Sequence, residues 1–519
     1  MRQILNPPRL DHASYTLTRR IVFFLIMPLF VPALYLVQLH YYPVEVYGYR
    51  YIGTAYQMWH QHQFLAPIWG NNTINLQKGP LYYWLIHLSW AVFGVNRYTP
   101  FAIVDLFFYA TCLLTYRIAR ILFNKPAYAA IAFLMLVGNV ILIQTLQKLI
   151  FAIPLMFFVT LMLYSVVQVA RTAKQRHWLL FSLANALTLL LKGPVNFVFA
   201  IPMCLALIML CQNQSRWRLM GYSAGALLLG CIPVGVWFYF VSRHFGLILP
   251  HTFLLQMLQR FSQVNADPNQ GHLDSLHALL SLIKLGPSFS VFTHRLFGYS
   301  GALIVGVIAF LLVLCHPRLL RQWSSVFKIR GERLGRMLWI TAGCVVLFFT
   351  LCVGLYRVHY IIPLYPLITL LLAGLFARFN GAEKVQLYGA YAITLIILIS
   401  TGGYVMASFY RNRDYIPLSA SVEKLQSQSM SGEIYALRSG GYHQAFEGWP
   451  RFLAHSMHVT PVNRQQLMAL SVPNAWCVRS WPAADYATSR RHVYPLLYPI
   501  HRDGEFIALM RCGQALKKG

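Results

Sequence analysis

Residues 149–170 read LIFAIPLMFFVTLMLYSVVQVA, an apolar run without an acidic or basic side chain. About 20 such residues cross the hydrocarbon core of a bilayer as a helix. Runs of the same kind recur on both sides of it, from Ile21 to Ser408. Hydrophobic residues make up 57% of the chain and charged residues 11%. This composition excludes a soluble multidomain protein and indicates an all-α polytopic membrane protein.

The apolar runs predict eleven helical spans, and the total rises to about 13 if interfacial segments also cross the bilayer. The expected spans are residues 21–39, 98–118, 128–146, 149–170, 178–192, 194–211, 219–241, 297–315, 337–355, 359–377 and 387–408. They divide the chain into a cytoplasmic segment (1–20), a membrane module (21–410) and a soluble domain (411–519). Two long outer loops are expected at about 41–97 and 243–295. The first contains two aromatic-rich interfacial stretches, Tyr49–Phe64 and Leu81–Phe93.

Positive charge is distributed between the spans. The formal net charge is +29, and the strongest cluster of Lys and Arg runs from Arg318 to Arg336. Placing such clusters in the cytoplasm gives one self-consistent topology, with the N-terminus inside and the tail outside. The basicity is therefore interpreted as a topogenic signal, and no nucleic-acid partner is predicted. The expected location is a bacterial inner membrane with an extracytoplasmic C-terminal domain.

The tail becomes markedly less apolar after residue 411. The helix-like Leu418–Ser427 is followed by short β-like runs at Glu433–Leu437 and Phe506–Met510. This alternation predicts a small α/β domain. Cys477 and Cys512 lie in this domain. If the tail is exported, the two cysteines are expected to form a disulfide.

Three basic residues stand where they could meet an anion at the outer surface. Lys78 precedes a turn and the aromatic anchors of Leu81-Tyr82-Tyr83-Trp84, and it could bind a phosphate or simply snorkel to the interface. Lys192-Gly193-Pro194 lies between two spans, where a helix break with an anchoring charge is favoured. Arg260 lies in the second outer loop against the positive-inside bias, so it is a functional candidate.

Carboxylates are scarce in the membrane module. The chain has 14 Asp and Glu residues, and seven of them follow Arg413. Glu45 is the one carboxylate of the first outer loop, which makes it the leading candidate for a general base. Asp105 lies within a predicted span, where pairing with a neighbouring Arg or Tyr is expected. The sequence has no Cys/His metal spacing and no phosphate-binding glycine loop, so neither a metal site nor a cofactor is predicted.

The order of these features resembles the aminoarabinose transferase and protein O-mannosyltransferase group of GT-C glycosyltransferases, which includes the dolichyl-phosphate-mannose-protein mannosyltransferases. The resemblance extends over about residues 20–410. Its motifs are Lys78-Gly79-Pro80-Leu81-Tyr82-Tyr83-Trp84, Phe93-Gly94-Val95-Asn96, Leu191-Lys192-Gly193-Pro194, Arg260-Phe261 and Tyr360-Ile361-Ile362-Pro363-Leu364-Tyr365-Pro366. The resemblance implies a GT-C fold and a lipid-phosphate sugar donor. It assigns the donor phosphate to Arg50, Tyr51, Lys78 and Arg260.

Several carboxylates of that group are missing here. The acidic pair before its Arg-Tyr motif falls on Tyr47 and Gly48, or on Val44-Glu45 after a shift of two to three residues. The glutamate before its lysine is Gln77, and a later intramembrane aspartate falls at Ala152 or a neighbour. The resemblance thus retains the cations that bind a phosphate and leaves Glu45 as the candidate base.

Three functions fit these observations. The first is a membrane glycosyltransferase that moves a sugar from a polyprenyl-phosphate donor to a lipid, glycan or protein acceptor on the periplasmic face. The second is a degenerate relative that binds a lipid phosphate or a partner without turnover. A transporter or flippase is the third and is disfavoured, because the spans show no paired repeats or broken helices at matching positions.

Overall fold

The structure is a computed structural model. It describes residues 46–69, 73–74, 76, 78–96, 98–123, 126–147, 149–211, 214–246, 333–352, 362–378, 403, 434–437, 459–462, 464–470, 475–482, 493–497 and 505–513.

Helices dominate the described part of the chain. In order they are α1 (Val46–His60), α2 (Leu81–Phe93), α3 (Thr99–Phe123), α4 (Pro126–Val137), α5 (Val140–Gln147), α6 (Ala152–Thr172), α7 (Arg176–Lys192), α8 (Phe197–Leu210), α9 (Arg216–Phe245), α10 (Arg333–Cys352), α11 (Tyr365–Arg378) and α12 (Arg464–Leu470). Short 3-10 turns occupy Gly193–Asn196 and Ile362–Leu364. A two-stranded hairpin, β1 (Ile68–Trp69) with β2 (Thr73–Ile74), lies between α1 and α2.

The two interfacial stretches predicted in the first outer loop are both helical. In α1, residues 51–58 are all buried, so the helix packs into the protein on every side over this stretch. The helix α2 ends at Gly94, whose φ of 74° suits a residue without a Cβ. Asn96 then caps α3, because its Oδ1 accepts hydrogen bonds from the backbone N–H groups of Tyr98 and Thr99, each at 2.9 Å.

Among the described residues, four helical stretches are long and apolar enough to cross a membrane: Thr99–Phe123, Ala152–Thr172, Arg176–Leu210 and Arg216–Phe245. They coincide with the predicted spans at 98–118, 149–170, 178–211 and 219–241. The helices α10 and α11 coincide with two further predicted spans. The spans predicted at 21–39 and 297–315 lie outside the described residues, as does all of 387–408 except residue 403.

The stretch Arg176–Leu210 is a helical hairpin. A straight helix of this length would separate its ends by about 50 Å. The next helix, α9, begins only a few residues after α8, yet its Tyr222 accepts a hydrogen bond from Gln175, just before α7, at 3.2 Å. The chain must therefore reverse at the turn Gly193–Asn196. This confirms the predicted helix break at Lys192-Gly193-Pro194, with α7 before it and α8 after it.

One predicted span is interrupted. The sequence predicts a single helix over 128–146, whereas the structure has α4 and α5 with a break at Gly138-Asn139. The buried Asn139 caps the second helix, since its Oδ1 accepts from the N–H groups of Ile141 at 3.0 Å and Leu142 at 3.2 Å. A side-chain cap inside an apolar segment competes with helix continuation, so the prediction of an unbroken helix was wrong.

The helices enclose one hydrophobic core. The largely buried helix α6 packs against α3, α7, α8 and the 3-10 turn Ile362–Leu364. The helix α11 packs against α3 and α4. By contrast α9 leaves large apolar side chains exposed, among them Trp217 at 80% and Leu228 at 69%. Such a face is typical of a helix in contact with lipid.

The tail contains a mixed sheet, which confirms the predicted α/β domain. Its strands are β3 (Ile434–Leu437), β4 (Val459–Val462), β5 (Trp476–Pro482), β6 (Val493–Leu497) and β7 (Glu505–Arg511), in the order β4-β3-β5-β7-β6. Strand β3 pairs in parallel with β4 and β5, and β7 pairs antiparallel with β5 and β6. Cys477 on β5 and Cys512 after β7 form the expected disulfide. The predicted helix Leu418–Ser427 lies outside the described residues.

Candidate functional site

The sequence Lys-Gly-Pro occurs in two turns that meet in the structure. The first turn is Lys78-Gly79-Pro80, directly before α2. Its glycine lies against the backbone of α7, so that a Cβ at this position would stand 1.7 Å from the carbonyl oxygen of Leu190. No other residue fits, because neither backbone segment can move aside cheaply. This close approach fixes the position of Lys78 relative to α7.

The second turn is Lys192–Asn196, where the hairpin of α7 and α8 reverses. Gly193 has a φ of 73°, and its N–H donates to the carbonyl oxygen of Leu189. With a ψ of −151° this residue lies in backbone space that only glycine adopts readily. Lys192 is the last residue of α7 and is only 4% exposed. The sequence therefore places a buried lysine at the turn of a membrane hairpin.

Phe151 contacts both lysines. The Nζ of Lys78 stands 4.2 Å from the centroid of the Phe151 ring, and the Nζ of Lys192 stands 5.4 Å from the same centroid. The two nitrogens are thus less than 10 Å apart. Each contact is a cation–π interaction of about 1 kcal/mol. Two positive charges are thus gathered around one ring, near enough to each other to attract the same anionic ligand.

Aromatic side chains support Phe151 on its other sides. The Tyr51 ring meets Phe151 edge-on at 5.6 Å and Tyr82 edge-on at 5.5 Å. The Tyr82 hydroxyl donates to the carbonyl oxygen of Leu149 at 2.8 Å. Burial raises the pKa of Tyr82 well above its usual value, and the nearby Tyr51 and Tyr83 raise it further, so the hydroxyl keeps its proton and remains a donor.

The bond from Tyr82 holds a strained turn. Leu149 has a φ of 50°, a left-handed conformation that costs a leucine roughly 1 kcal/mol. Two residues later comes Phe151, immediately before α6. The fold therefore keeps an unfavourable backbone conformation in order to place this ring, as is common near functional sites.

A cavity of about 140 Å³ adjoins both turns. Its wall is apolar apart from Lys192 and includes Gly79, Leu189, Phe197, Val234 and Trp237. The indole N–H of Trp237 donates to the carbonyl oxygen of Leu65 at 2.8 Å, which ties α9 to the first outer loop. A hydrocarbon-lined space beside a buried ammonium group suits an anionic amphiphile better than a free polar anion.

The sequence around the site is poor in negative charge. Between Glu45 and Asp267 the chain contains one carboxylate, Asp105, which is buried in α3. Within the part of the chain that the structure describes, no group of three His, Cys, Asp or Glu side chains could hold a metal ion. The described site can thus bind and neutralise an anion through its lysines.

Comparison with known proteins identifies the architecture of the chain. Residues 77–237, which contain both turns, match the model of the family dolichyl-phosphate-mannose-protein mannosyltransferase. The crystal structure of ArnT from Cupriavidus metallidurans bound to undecaprenyl phosphate superposes with a TM-score of 0.63 at 13% identity, over 95% of this chain and 98% of that chain. The chain has a GT-C fold.

Two further comparisons agree with the GT-C fold. The apo structure of the same ArnT gives a TM-score of 0.60 at 14% identity, again over 95% of this chain and 98% of that chain. A protein described as uncharacterized, from Aquifex aeolicus (strain VF5), is 29% identical over 221 residues. That alignment spans 42% of this chain and 43% of the relative, less than half the length of either.

The candidate site contains some of the residues that the sequence indicated. Tyr51 and Lys78 come together at Phe151. Arg50 precedes Tyr51 in α1, but its side chain is outside the described part, and Glu45 and Arg260 lie outside the described residues altogether. Asp105 is buried in α3, as a span position predicts.

Lys192 was interpreted from sequence as an anchoring charge, whereas the structure buries it beside Phe151. The available signal was the repetition of Lys-Gly-Pro in two places that the predicted topology puts on the outer side. Phe151 carried no signal, because one phenylalanine in an apolar run is indistinguishable from its neighbours.

Proposed function

We propose that this GT-C protein is a membrane glycosyltransferase that takes a sugar from a polyprenyl-phosphate donor. The observation that carries the proposal is the convergence of Lys78 and Lys192 on Phe151, beside an apolar cavity. This combination matches a ligand with an anionic head and a hydrocarbon tail. The undecaprenyl phosphate bound to the structurally similar ArnT is a ligand of this chemistry.

In the proposed reaction the leaving group is the lipid phosphate, and the site must stabilise its negative charge. The acceptor attacks the anomeric carbon, the bond from that carbon to the phosphate oxygen breaks, and the lipid phosphate departs with the electron pair. Lys78 and Lys192 stabilise that charge through charge-assisted hydrogen bonds, and they are already oriented before the reaction. Arg50 and Arg260 are proposed as additional phosphate ligands.

The acceptor must also lose a proton. Glu45 is proposed as the base, because it directly precedes α1, which carries Arg50 and Tyr51, and because Asp105 is the one other carboxylate before Asp267. At the start of α6, next to Phe151, the buried Ala152 offers no proton acceptor. The acceptor itself is a lipid, a glycan or a protein.

The proposed location is the inner membrane of a bacterium, with the site and the tail on the periplasmic side. The Cys477–Cys512 disulfide supports an oxidising compartment for the tail. The odd number of spans predicted from the sequence also favours a tail on the same side as the two outer loops.

A turnover assay with the purified protein and an undecaprenyl-phosphate-linked sugar tests this function. Glu45→Gln is expected to abolish transfer while binding of undecaprenyl phosphate stays at the wild-type level, since the base does not contact the phosphate. Undiminished transfer in this variant would remove Glu45 from the mechanism. Loss of lipid binding in Glu45→Gln would show a structural role instead.

A second candidate function is binding of a lipid phosphate without turnover. The observation that favours it is the substitution of family carboxylates by Gln77 and Ala152 while the lysines are kept. This alternative predicts that the wild-type protein binds undecaprenyl phosphate and transfers no sugar from any defined lipid-linked donor. Transfer by the wild-type protein would exclude it.

A further inference from the structure

Two buried asparagines tie the second turn to its neighbouring helices. The amide Nδ2 of Asn196, at the end of the turn, donates to the Oδ1 of Asn185 on α7. The Nδ2 of Asn185 in turn donates to the carbonyl oxygen of Leu227 on α9 at 3.2 Å. Both asparagines have no exposed surface. This chain of hydrogen bonds joins α7, the turn and α9 inside the apolar part of the molecule.

Gly230 on α9 makes room for this connection. A Cβ at position 230 would stand 2.2 Å from the Nδ2 of Asn185 and 2.9 Å from its Cγ. Gly225 and Gly235, on the same helix, would accept a Cβ with nothing within 4 Å. The amide of Asn185 therefore requires a glycine at position 230, whereas positions 225 and 235 have room for a Cβ.

Lys192 lies in sequence between the two asparagines of this connection. Asn185 precedes Lys192 by two helical turns and lies on the same face of α7, and Asn196 follows Lys192 by four residues. Bonds from Asn196 to Asn185 thus close the chain reversal around the lysine. Apolar side chains could fill the same volume, but only directional hydrogen bonds fix how the turn is rotated about α7.

We propose that Asn185, Asn196 and Gly230 form a clamp that positions the ammonium group of Lys192 for the phosphate of the donor lipid. The clamp is a positioning device, and its members do not touch the ligand. This inference rests on the proposed function, because it assigns the clamp to the phosphate-binding step. It adds that recognition of the lipid phosphate depends on α9, because Gly230 lies on that helix. Lys192, by contrast, ends α7, and Lys78 precedes α2.

The test compares the affinity of the full-length protein for undecaprenyl phosphate with its affinity for undecaprenol, which lacks the phosphate. Gly230→Ala removes no charge and no polar group, but it displaces the amide of Asn185. We expect it to lower the preference for the phosphate about tenfold, as the loss of one charge-assisted hydrogen bond would. The matched control Gly225→Ala, on the same helix, is expected to keep the wild-type preference.

A double-mutant cycle separates positioning from general stability. If the clamp acts through Lys192, then Lys192→Met and Gly230→Ala each lower the phosphate preference, and their combination lowers it no further. Additive losses would overturn the clamp, as would a folded Gly230→Ala protein with the wild-type preference. A wild-type protein that binds both lipids equally would overturn the proposed function and the clamp together.

A variant with leucine in place of both Asn185 and Asn196 tests the proposal even if Gly230→Ala fails to fold. Removing both hydrogen-bond partners at once leaves neither amide unpaired, so the protein is expected to fold. It is also expected to bind undecaprenol at the wild-type level and to lose the phosphate preference about tenfold. Retention of the full preference in this folded variant would contradict the proposal.

Discussion

The two Lys-Gly-Pro turns share a sequence and differ in the physical reason for their glycine. In the first turn Gly79 is required because the backbone of α7 touches it, with Leu190 leaving no space for a Cβ. In the second turn Gly193 is required because its φ is 73°. Lys78 is half-buried, whereas Lys192 is almost completely buried. The glycine of the tripeptide thus allows a close backbone contact in the first turn and a positive φ in the second.

This difference shows how the site is assembled. Gly79 contacts Leu190, which precedes Lys192 by two residues. The first turn therefore packs against α7, the helix that ends at the second turn, and this contact sets the positions of both ammonium groups. Substitutions of the glycines are expected to test how the site is assembled, and substitutions of the lysines are expected to test what its positive charge does.

The largest effect is expected for Gly79→Ala. Its Cβ would overlap the backbone of Leu190, and relief requires a shift of α2 or α7. We expect a loss of roughly 3 kcal/mol in the free energy of unfolding, at the upper end of overpacking effects. Thermal unfolding in detergent measures this loss, with Gly221→Ala as the control because its Cβ would meet nothing within 4 Å. Equal unfolding temperatures for the two variants would refute the close contact.

The second-largest effect is expected when either lysine of the site loses its positive charge. Lys192→Met and Lys78→Met are each expected to weaken binding of undecaprenyl phosphate about tenfold, with the larger loss for Lys192 because burial reduces screening by solvent. Lys192→Met is not expected to lower the unfolding temperature, because methionine suits an apolar site where an ammonium group is costly. Lipid affinity measured by native mass spectrometry checks both variants.

The exposed Lys174, at the other end of α7, provides the control. Lys174→Met is expected to bind the lipid like the wild-type protein. An equal loss of affinity in all three variants would indicate a general electrostatic attraction instead of a defined site.

The smallest effect distinguishes the two glycines from each other. Gly193→Ala and Gly193→Asn are each expected to cost roughly 1–2 kcal/mol, because a φ of 73° with a ψ of −151° is backbone space that only glycine adopts readily. At position 79 both substitutions should be more harmful, because any Cβ overlaps the backbone of Leu190. Unfolding temperatures of the four variants test this, and tolerance of asparagine at either position would contradict the reason given for its glycine.

Much of the fold could be predicted from the sequence. Apolar runs located α3, α6, α7 and α9 because the length of a span is set by the bilayer. The break between α4 and α5 was not predictable in the same way, because a single buried Asn139 interrupts an otherwise uniform apolar stretch. The strands β3 and β7 of the tail followed from short alternating runs.

The site was predictable only in part. Lys78 and Tyr51 stood in motifs near aromatic residues, so their chemistry was visible. The role of Lys192 depends on a chain reversal that brings residue 192 next to residues 78 and 151, and separations of this size leave no local trace. The pairing of Asn185 with Asn196 and the space at Gly230 likewise depend on how α7 and α9 pack.

The central claim is that the two Lys-Gly-Pro turns form a single site for a lipid phosphate. A cryo-electron microscopy structure of the wild-type protein with undecaprenyl phosphate tests it most directly. We predict that phosphate oxygens lie within hydrogen-bond distance of both Lys78 Nζ and Lys192 Nζ, next to Phe151. A phosphate bound away from both lysines, with the Phe151 site unchanged, would contradict the account.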